Sequence, residues 1–179
     1  MSVYQKGFSI LERYFKPSSI FKHGLNLSPM YRRTTGRIVS ISDDMRQVKV
    51  RIPISYRNRN YAGSIFGGSL FSATDPICMV QFARILGNDF IVWDKSSTIR
   101  FKRPAYHEVY AYSEIKHADL EHIKAEVKEK GETDFTMHLL ITDKERTVVY
   151  SEIQKVIYIA NKAFYKAKRK AKSAEKTLQ

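Results

Sequence analysis

The chain has 179 residues, 43% hydrophobic and 27% charged, a composition that suits one soluble globular domain with a sizeable core and excludes a fibrous or low-complexity protein. No apolar run approaches the ~18 residues of a membrane span. The N-terminus sets Lys6 and Glu12 around a short apolar patch with no small-residue cleavage site, so no signal peptide and a cytoplasmic location are expected. A net charge of +13 points to anionic partners without choosing among nucleic acid, acidic lipid and a polyphosphorylated cofactor.

In chain order, residues 1–35 read as an amphipathic helical cap packed on the main domain. Phe8, Leu11, Tyr14 and Phe15 recur at helical spacing before Pro17 stops the turn. Ser18 to Leu27 suggests a second short helix, and Ser28-Pro29 starts a third. Strand patterns begin at Gly36. Ile38–Ile41, the turn Asp43-Asp44, and Val48, Val50 and Ile52 alternating with Lys49 and Arg51 make a hairpin that Pro53 ends. Gly68 to Leu86 leaves little polar face, so it reads as a helix buried on nearly all sides and closed by Gly87-Asn88. Cys78, the single cysteine, lies within it; it excludes an internal disulfide and a cysteine zinc cluster, and reads as a small core side chain.

Ile91 to Arg103 is a long strand ending at Pro104, with Trp93 in the core and Asp94 and Lys95 pairing with each other. Val109 to Ile115 alternates, and Asp119 to Lys130 is a surface helix with Leu120, Ile123 and Val127 on one face. Phe135 to Ile141 and Val148 to Ile159 are strands joined by the turn Asp143-Lys144-Glu145-Arg146. The histidines make no metal-ligand spacing: His117 and His122 look solvated and His138 looks like a core histidine, so no metal is expected. Lys162, Lys166, Lys168, Arg169, Lys170, Lys172 and Lys176 crowd residues 161–179, a basic tail. It is expected to be solvated, with nucleic acid or an anionic membrane surface as its alternative partner. The order of elements is that of an α+β fold in which an antiparallel sheet wraps a central helix over residues 36–160.

The chemistry concentrates in Asn60-Tyr61-Ala62-Gly63-Ser64-Ile65-Phe66-Gly67-Gly68, followed seven residues on by Asp75. Glycines opening a helix leave backbone N–H groups uncovered, and such donors suit an oxyanion formed when a carbonyl is attacked. The alternative is that Gly67 and Gly68 merely allow close packing. The loop is not a phosphate-binding P-loop, because Ser69-Leu70 follows the glycines, and Ser69 is not in a nucleophile elbow. Asp75 precedes Pro76, so it is either the cap of a helix starting there or a carboxylate at a kink in one longer helix. As a catalyst it would be a general base or a nucleophile. Asn60 would orient water or the carbonyl, or simply hold a turn, and Gly63 reads as a turn glycine. Arg100, Lys102 and Arg103 are candidates for phosphate groups, against the alternative of an exposed charged strand face.

The spacing Asn60…Gly63…Gly67-Gly68…Asp75, the stretch Ser97-Thr98-Ile99-Arg100-Phe101-Lys102-Arg103-Pro104-Ala105 and the element order resemble the hot-dog fold acyl-CoA thioesterase superfamily. The likeness is to the phenylacetyl-CoA type and, more closely, to an uncharacterised bacterial branch classed as a domain of unknown function. The resemblance implies hydrolysis of an acyl-CoA or other thioester, with coenzyme A part of the substrate and no separate cofactor. It implies catalytic roles for Asp75, Asn60, Gly67 and Gly68, and substrate contacts from Phe66, Arg100, Lys102 and Arg103. It also implies a homodimer or dimer of dimers, with the glycine loop of one subunit facing the acid of the other. Phe66 stands where relatives carry a histidine, and phenylalanine donates no hydrogen bond. Either the backbone donors suffice, another group takes over, or the protein binds an acyl chain or acyl-CoA without cleaving it.

Overall fold

The computed structural model describes Leu11 and residues 13–177. Phe8 lies outside them. The Leu11 carbonyl accepts the N–H groups of Tyr14 and Phe15, but Tyr14 and Phe15 stand in solvent rather than against the domain. Pro17 opens a helix instead of only ending a turn, because its fixed φ and missing N–H suit the first helical position. This helix, α1 (Pro17–Leu27), is followed by the short α2 (Pro29–Arg33).

The Asn26 side chain clamps α1 to the first strand, donating to the Ile38 carbonyl and accepting from the Ile38 N–H, both at 2.9 Å. Tyr31 of α2 is fully buried, and its hydroxyl donates to the Ala73 carbonyl at 2.9 Å. Burial pushes the Tyr31 phenol well above its ordinary range.

Six strands follow: β1 (Arg37–Ile41), β2 (Gln47–Ile52), β3 (Phe90–Phe101), β4 (Val109–Glu114), β5 (Glu132–Thr142) and β6 (Val149–Asn161). They form one antiparallel sheet in the order β1-β2-β4-β5-β6-β3. The predicted hairpin is β1–β2, and the predicted turn at Asp143 joins β5 to β6. Across the sheet lies α3 (Gly67–Leu86), the hot-dog arrangement of a sheet curled on a central helix. Leu70, Ala73, Ile77, Cys78 and Phe82 are buried against the strands, joined to them by an edge-on contact of Phe82 with Phe135.

The sheet covers one face of α3 rather than all sides. Phe71, Asp75, Met79 and Val80 keep intermediate exposure, because a six-stranded sheet in one chain does not close into a barrel. A buried polar clip holds the helix in register. The Gln81 amide donates to the carbonyls of Met45 and Arg46 at 2.8 and 3.1 Å, and its oxygen accepts from the Ser113 hydroxyl at 2.5 Å.

The surface helix is α4 (His117–Lys130), its Leu120, Ile123 and Val127 turned inward. His138 faces solvent, not the core, since it sits out of phase with the buried Met137 and Leu139 on β5. His117 and His122 are exposed and lie beside Glu121 and Glu126. The basic tail forms the helix α5 (Lys162–Thr177), with most of its described side chains exposed. Asn161 caps it through the N–H groups of Ala163 and Phe164, Lys168 pairs with Glu132 at 2.5 Å, and Tyr165 meets Tyr158 with ring centres 6.2 Å apart. Among the described residues no helix is long and apolar enough to cross a membrane.

Candidate active site

The segment 53–66 delivers the start of α3, and Asn58 organises it. Asn58 is almost fully buried; its amide donates to the Thr35 hydroxyl and the Pro53 carbonyl, both at 2.8 Å, and its side-chain oxygen accepts the Ser55 N–H at 2.8 Å. Its own carbonyl accepts the Phe66 N–H at 2.7 Å. Asn60 closes the next turn. Its side-chain oxygen accepts from the N–H groups of Ala62 and Ser64 at 3.0 and 3.1 Å, and its amide donates to the Ser64 hydroxyl at 2.9 Å. Gly63 takes φ +83°, a left-handed conformation that favours glycine. Asn60 therefore lines the site while spending most of its hydrogen-bonding capacity on the loop.

Phe66 is the residue before the helix, and its carbonyl accepts the Ser69 and Leu70 N–H groups. The N–H groups of Gly67 and Gly68, in the first turn, have no intramolecular acceptor among the described residues. Both glycines are sterically required as the rings now stand: a Cβ on Gly67 would lie 2.7 Å from the Phe101 ring, and one on Gly68 would lie 2.3 Å from the Phe66 ring. Each glycine therefore packs against a half-exposed aromatic ring. A groove of ≈ 480 Å³ opens here, lined by Asn60, Gly67, Leu70, Phe101, Lys102 and Arg103. Lys102 also pairs with Glu152 at 3.0 Å. Arg100 is directly opposite Glu152 in the β3–β6 ladder, and does not line the groove.

Asp75 is neither a cap nor a helix end, for α3 runs unbroken through Pro76. Seven residues at 1.5 Å and 100° each place Asp75 on the same face as Gly68, ~10 Å further along the axis. One chain therefore does not bring its amides and its carboxylate to a single carbonyl. What it brings to Asp75 is Lys155, a residue that the linear pattern of β6 did not single out. Lys155 is fully buried, and its ammonium donates to the Asp75 carbonyl, to Asp75 Oδ1 at 3.0 Å and to Asp94 Oδ1 at 3.3 Å. The signal was present as a lone lysine in phase with the inward-facing Ile153, Ile157 and Ile159.

Asp94 thus pairs across the sheet and not with its neighbour; Lys95 pairs with Asp134 instead. A bulge between Asp94 and Ser96 separates the two side chains. Burial raises the Asp94 carboxyl above its ordinary value, Lys155 pulls it back, and the nearby Asp75 carboxylate raises it again. Trp93, expected in the core, is 55% exposed, because β3 is an edge strand and its outer face is open. Cys78 is buried with its thiol pushed up to about 11 by desolvation, which suits a core side chain. Among the described residues no group of three or more His, Cys, Asp or Glu is placed to hold a metal ion.

Comparison with known proteins follows the same lines. A family profile described as a domain of unknown function (DUF4442) matches residues 18–159. No curated protein matches the chain. Solved structures share the fold. PA5026 of Pseudomonas aeruginosa, described as a protein of unknown function and probable thioesterase, is 20% identical with a TM-score of 0.69, over 80% of this chain and 95% of its own. The thioesterase HI1161 of Haemophilus influenzae is 12% identical with a TM-score of 0.56, over 77% and 87%. The thioesterase SAV0944 of Staphylococcus aureus, solved as a mutant, is 15% identical with a TM-score of 0.55, over 74% and 99%.

Proposed function

The chain belongs to the DUF4442 family, and from that premise we propose that it is a thioesterase acting on an acyl-CoA or a related thioester. The observation that carries the reading is the start of α3. The amides of Gly67 and Gly68 have no acceptor within the chain among the described residues, Gly67 lines a groove, and a braced carboxylate lies two turns on along the same helix face. The similar folds described as thioesterases support it.

In this reading the Gly67 and Gly68 N–H groups hold the oxyanion as the carbonyl carbon becomes tetrahedral. Lys155 occupies Oδ1 of Asp75, and Oδ2 of this half-exposed side chain is the oxygen left for chemistry. Oδ2 takes a proton from the attacking water, or attacks the carbonyl itself to give an anhydride that water then opens. The C–S bond breaks as the oxyanion collapses, and the thiolate leaves and takes up a proton. Lys155 is a positioning residue here, acting through Asp75.

In this reading a second protomer closes the ~10 Å gap between amides and carboxylate. The free edge of β3 and the half-exposed apolar side of α3 are the surfaces on which two copies would join, setting the amides of one against the carboxylate of the other. Phe66 favours a second reading, an acyl-binding module without turnover, because its ring lies against Gly68 and donates no hydrogen bond.

A panel of short, long and aryl acyl-CoAs separates the two. Hydrolysis by the wild type that disappears in Asp75→Asn, with the oligomer intact by light scattering, is expected. Equal rates in the two proteins would remove Asp75 from the mechanism, and saturable binding without turnover would establish the second reading.

A further inference from the structure

Three arginines line a second groove, and no carboxylate among the described residues lines it with them. The groove, ≈ 400 Å³, is lined by Pro29, Arg32, Arg33, Thr35 and Arg57. Among the described residues none of these arginines has an acidic partner. Elsewhere many of the bases pair off: Arg46 with Asp44, Arg51 with Glu108, Lys95 with Asp134 and Lys102 with Glu152. Concentrating like charge in a concavity costs energy in the free protein, and an anion of matching charge relieves it.

The walls are held in place. Thr35 has φ +66°, rare for a β-branched residue, and the buried Asn58 amide fixes its hydroxyl at 2.8 Å. The same Asn58 side chain binds Pro53 and Ser55, so it ties the wall carrying Thr35 to the one carrying Arg57. Arg57 is itself oriented: its Nε–H donates to the Tyr56 hydroxyl at 3.0 Å, and its guanidinium lies 5.5 Å from that ring's centre. Tyr56 is 85% exposed, so its ring keeps an open face besides the one that Arg57 approaches.

We propose that the groove of Arg32, Arg33 and Arg57 binds the diphosphate of an adenine nucleotide, with the base against Tyr56. Guanidinium groups match phosphate oxygens in paired hydrogen bonds, and three of them offset the charge of a diphosphate better than that of a single phosphate. The groove, ≈ 400 Å³ and open to solvent, has room for a diphosphate. An exposed aromatic ring accepts a base by stacking. The groove adjoins the candidate active site: Asn58 follows Arg57, and its carbonyl accepts the N–H of Phe66, which leads into Gly67. The nucleotide is therefore either free or the handle of a coenzyme A thioester. The second source rests on the thioesterase reading.

Titration with ADP at physiological ionic strength tests the site. Saturable binding is expected, weakened about tenfold by Arg57→Ala and by Arg32→Ala, and less by Arg57→Lys, which keeps the charge but loses the fork. Arg169→Ala/Lys170→Ala on α5 is the control for general electrostatics and should retain the wild-type affinity. No saturation by wild type, or an equal loss in the α5 variant, overturns the proposal. The ratio of kcat/KM for an acyl-CoA to that for the same acyl group on N-acetylcysteamine then identifies the source. A ratio about tenfold lower in Arg57→Ala assigns the nucleotide to the substrate. An unchanged ratio with ADP binding lost assigns it to a free nucleotide. If no thioester is cleaved by wild type, the thioesterase reading fails while the ADP titration still decides the site.

Discussion

Lys155→Met tests how the buried ammonium holds its two carboxylates. Methionine keeps the length and apolar stem, so no large cavity opens. What disappears is the cation shared by the Asp75 carbonyl, Asp75 Oδ1 at 3.0 Å and Asp94 Oδ1 at 3.3 Å. Breaking a fully buried pair costs ~3–5 kcal/mol. Here the lysine side chain is 0% exposed, but those of Asp75 and Asp94 are 50% and 29% exposed, so water reaches both orphaned carboxylates. Removing the lysine also removes its own desolvation cost. These two effects bring the expected loss to ~2 kcal/mol at neutral pH, or a fall in Tm of about 4–8 °C for a chain of this size.

The pH dependence identifies the cause. Asp94 is already held above its ordinary 3.8 by burial, and without Lys155 nothing opposes that shift. A raised carboxylate pKa makes the folded state the tighter proton binder, so the destabilisation is full above the folded pKa and vanishes below the unfolded one. Thermal unfolding from about pH 8 to about pH 4, followed by circular dichroism, should show the deficit shrinking as acid is added. Asp94→Asn in the same background should recover part of it, since the two sites are coupled. A variant as stable as wild type at neutral pH, or a deficit constant with pH, would refute the reasoning.

Three further outcomes are expected. Gly131→Ala should cost ~1–2 kcal/mol, because Gly131 has φ +81° and an added Cβ would lie 2.4 Å from the Phe164 ring of α5; a Tm within a degree of wild type in a calorimetric scan would contradict it. Cys78, buried and with its thiol raised to about 11, should resist an aromatic disulfide reagent in the native state at mildly alkaline pH and react once denatured; fast native labelling would contradict the core placement. Asp44 is depressed to about 2 by hydrogen bonds from the Ser42 hydroxyl and Arg46, so its contribution is present above 3.8 and lost as pH falls toward 2. Asp44→Asn should flatten that acid limb of the Tm profile, and an unchanged limb would show that the turn contributes nothing there.

Residues on one strand or one helix turn were legible from their spacing. The alternation of Val48, Val50 and Ile52 marks β2, and Gly87 marks the end of α3, because backbone geometry imposes periods of 2 and 3.6 on neighbouring side chains. The glycine pair and its helix were readable for the same reason. Asp75-Pro76 was ambiguous locally: a proline suits both a helix start and the interior of a helix that packing holds together, and only the sheet beneath α3 decided for the interior.

Tertiary structure alone decided which charges meet. Asp75, Asp94 and Lys155 come from a helix and two strands distant in the chain, and nothing in their local spacing foretells the shared ammonium. The same holds for the groove that Arg32 and Arg33 of α2 line together with Arg57. Exposure was likewise a property of topology: Trp93 reads as core in a hydrophobic strand, yet β3 ends the sheet and leaves its outer face open. Periodicity constrains which face of an element a residue occupies, whereas its partners follow from how those faces are stacked. Electrostatics acts through that stacking, so the elements were written in the linear chain and the site was made only when they packed.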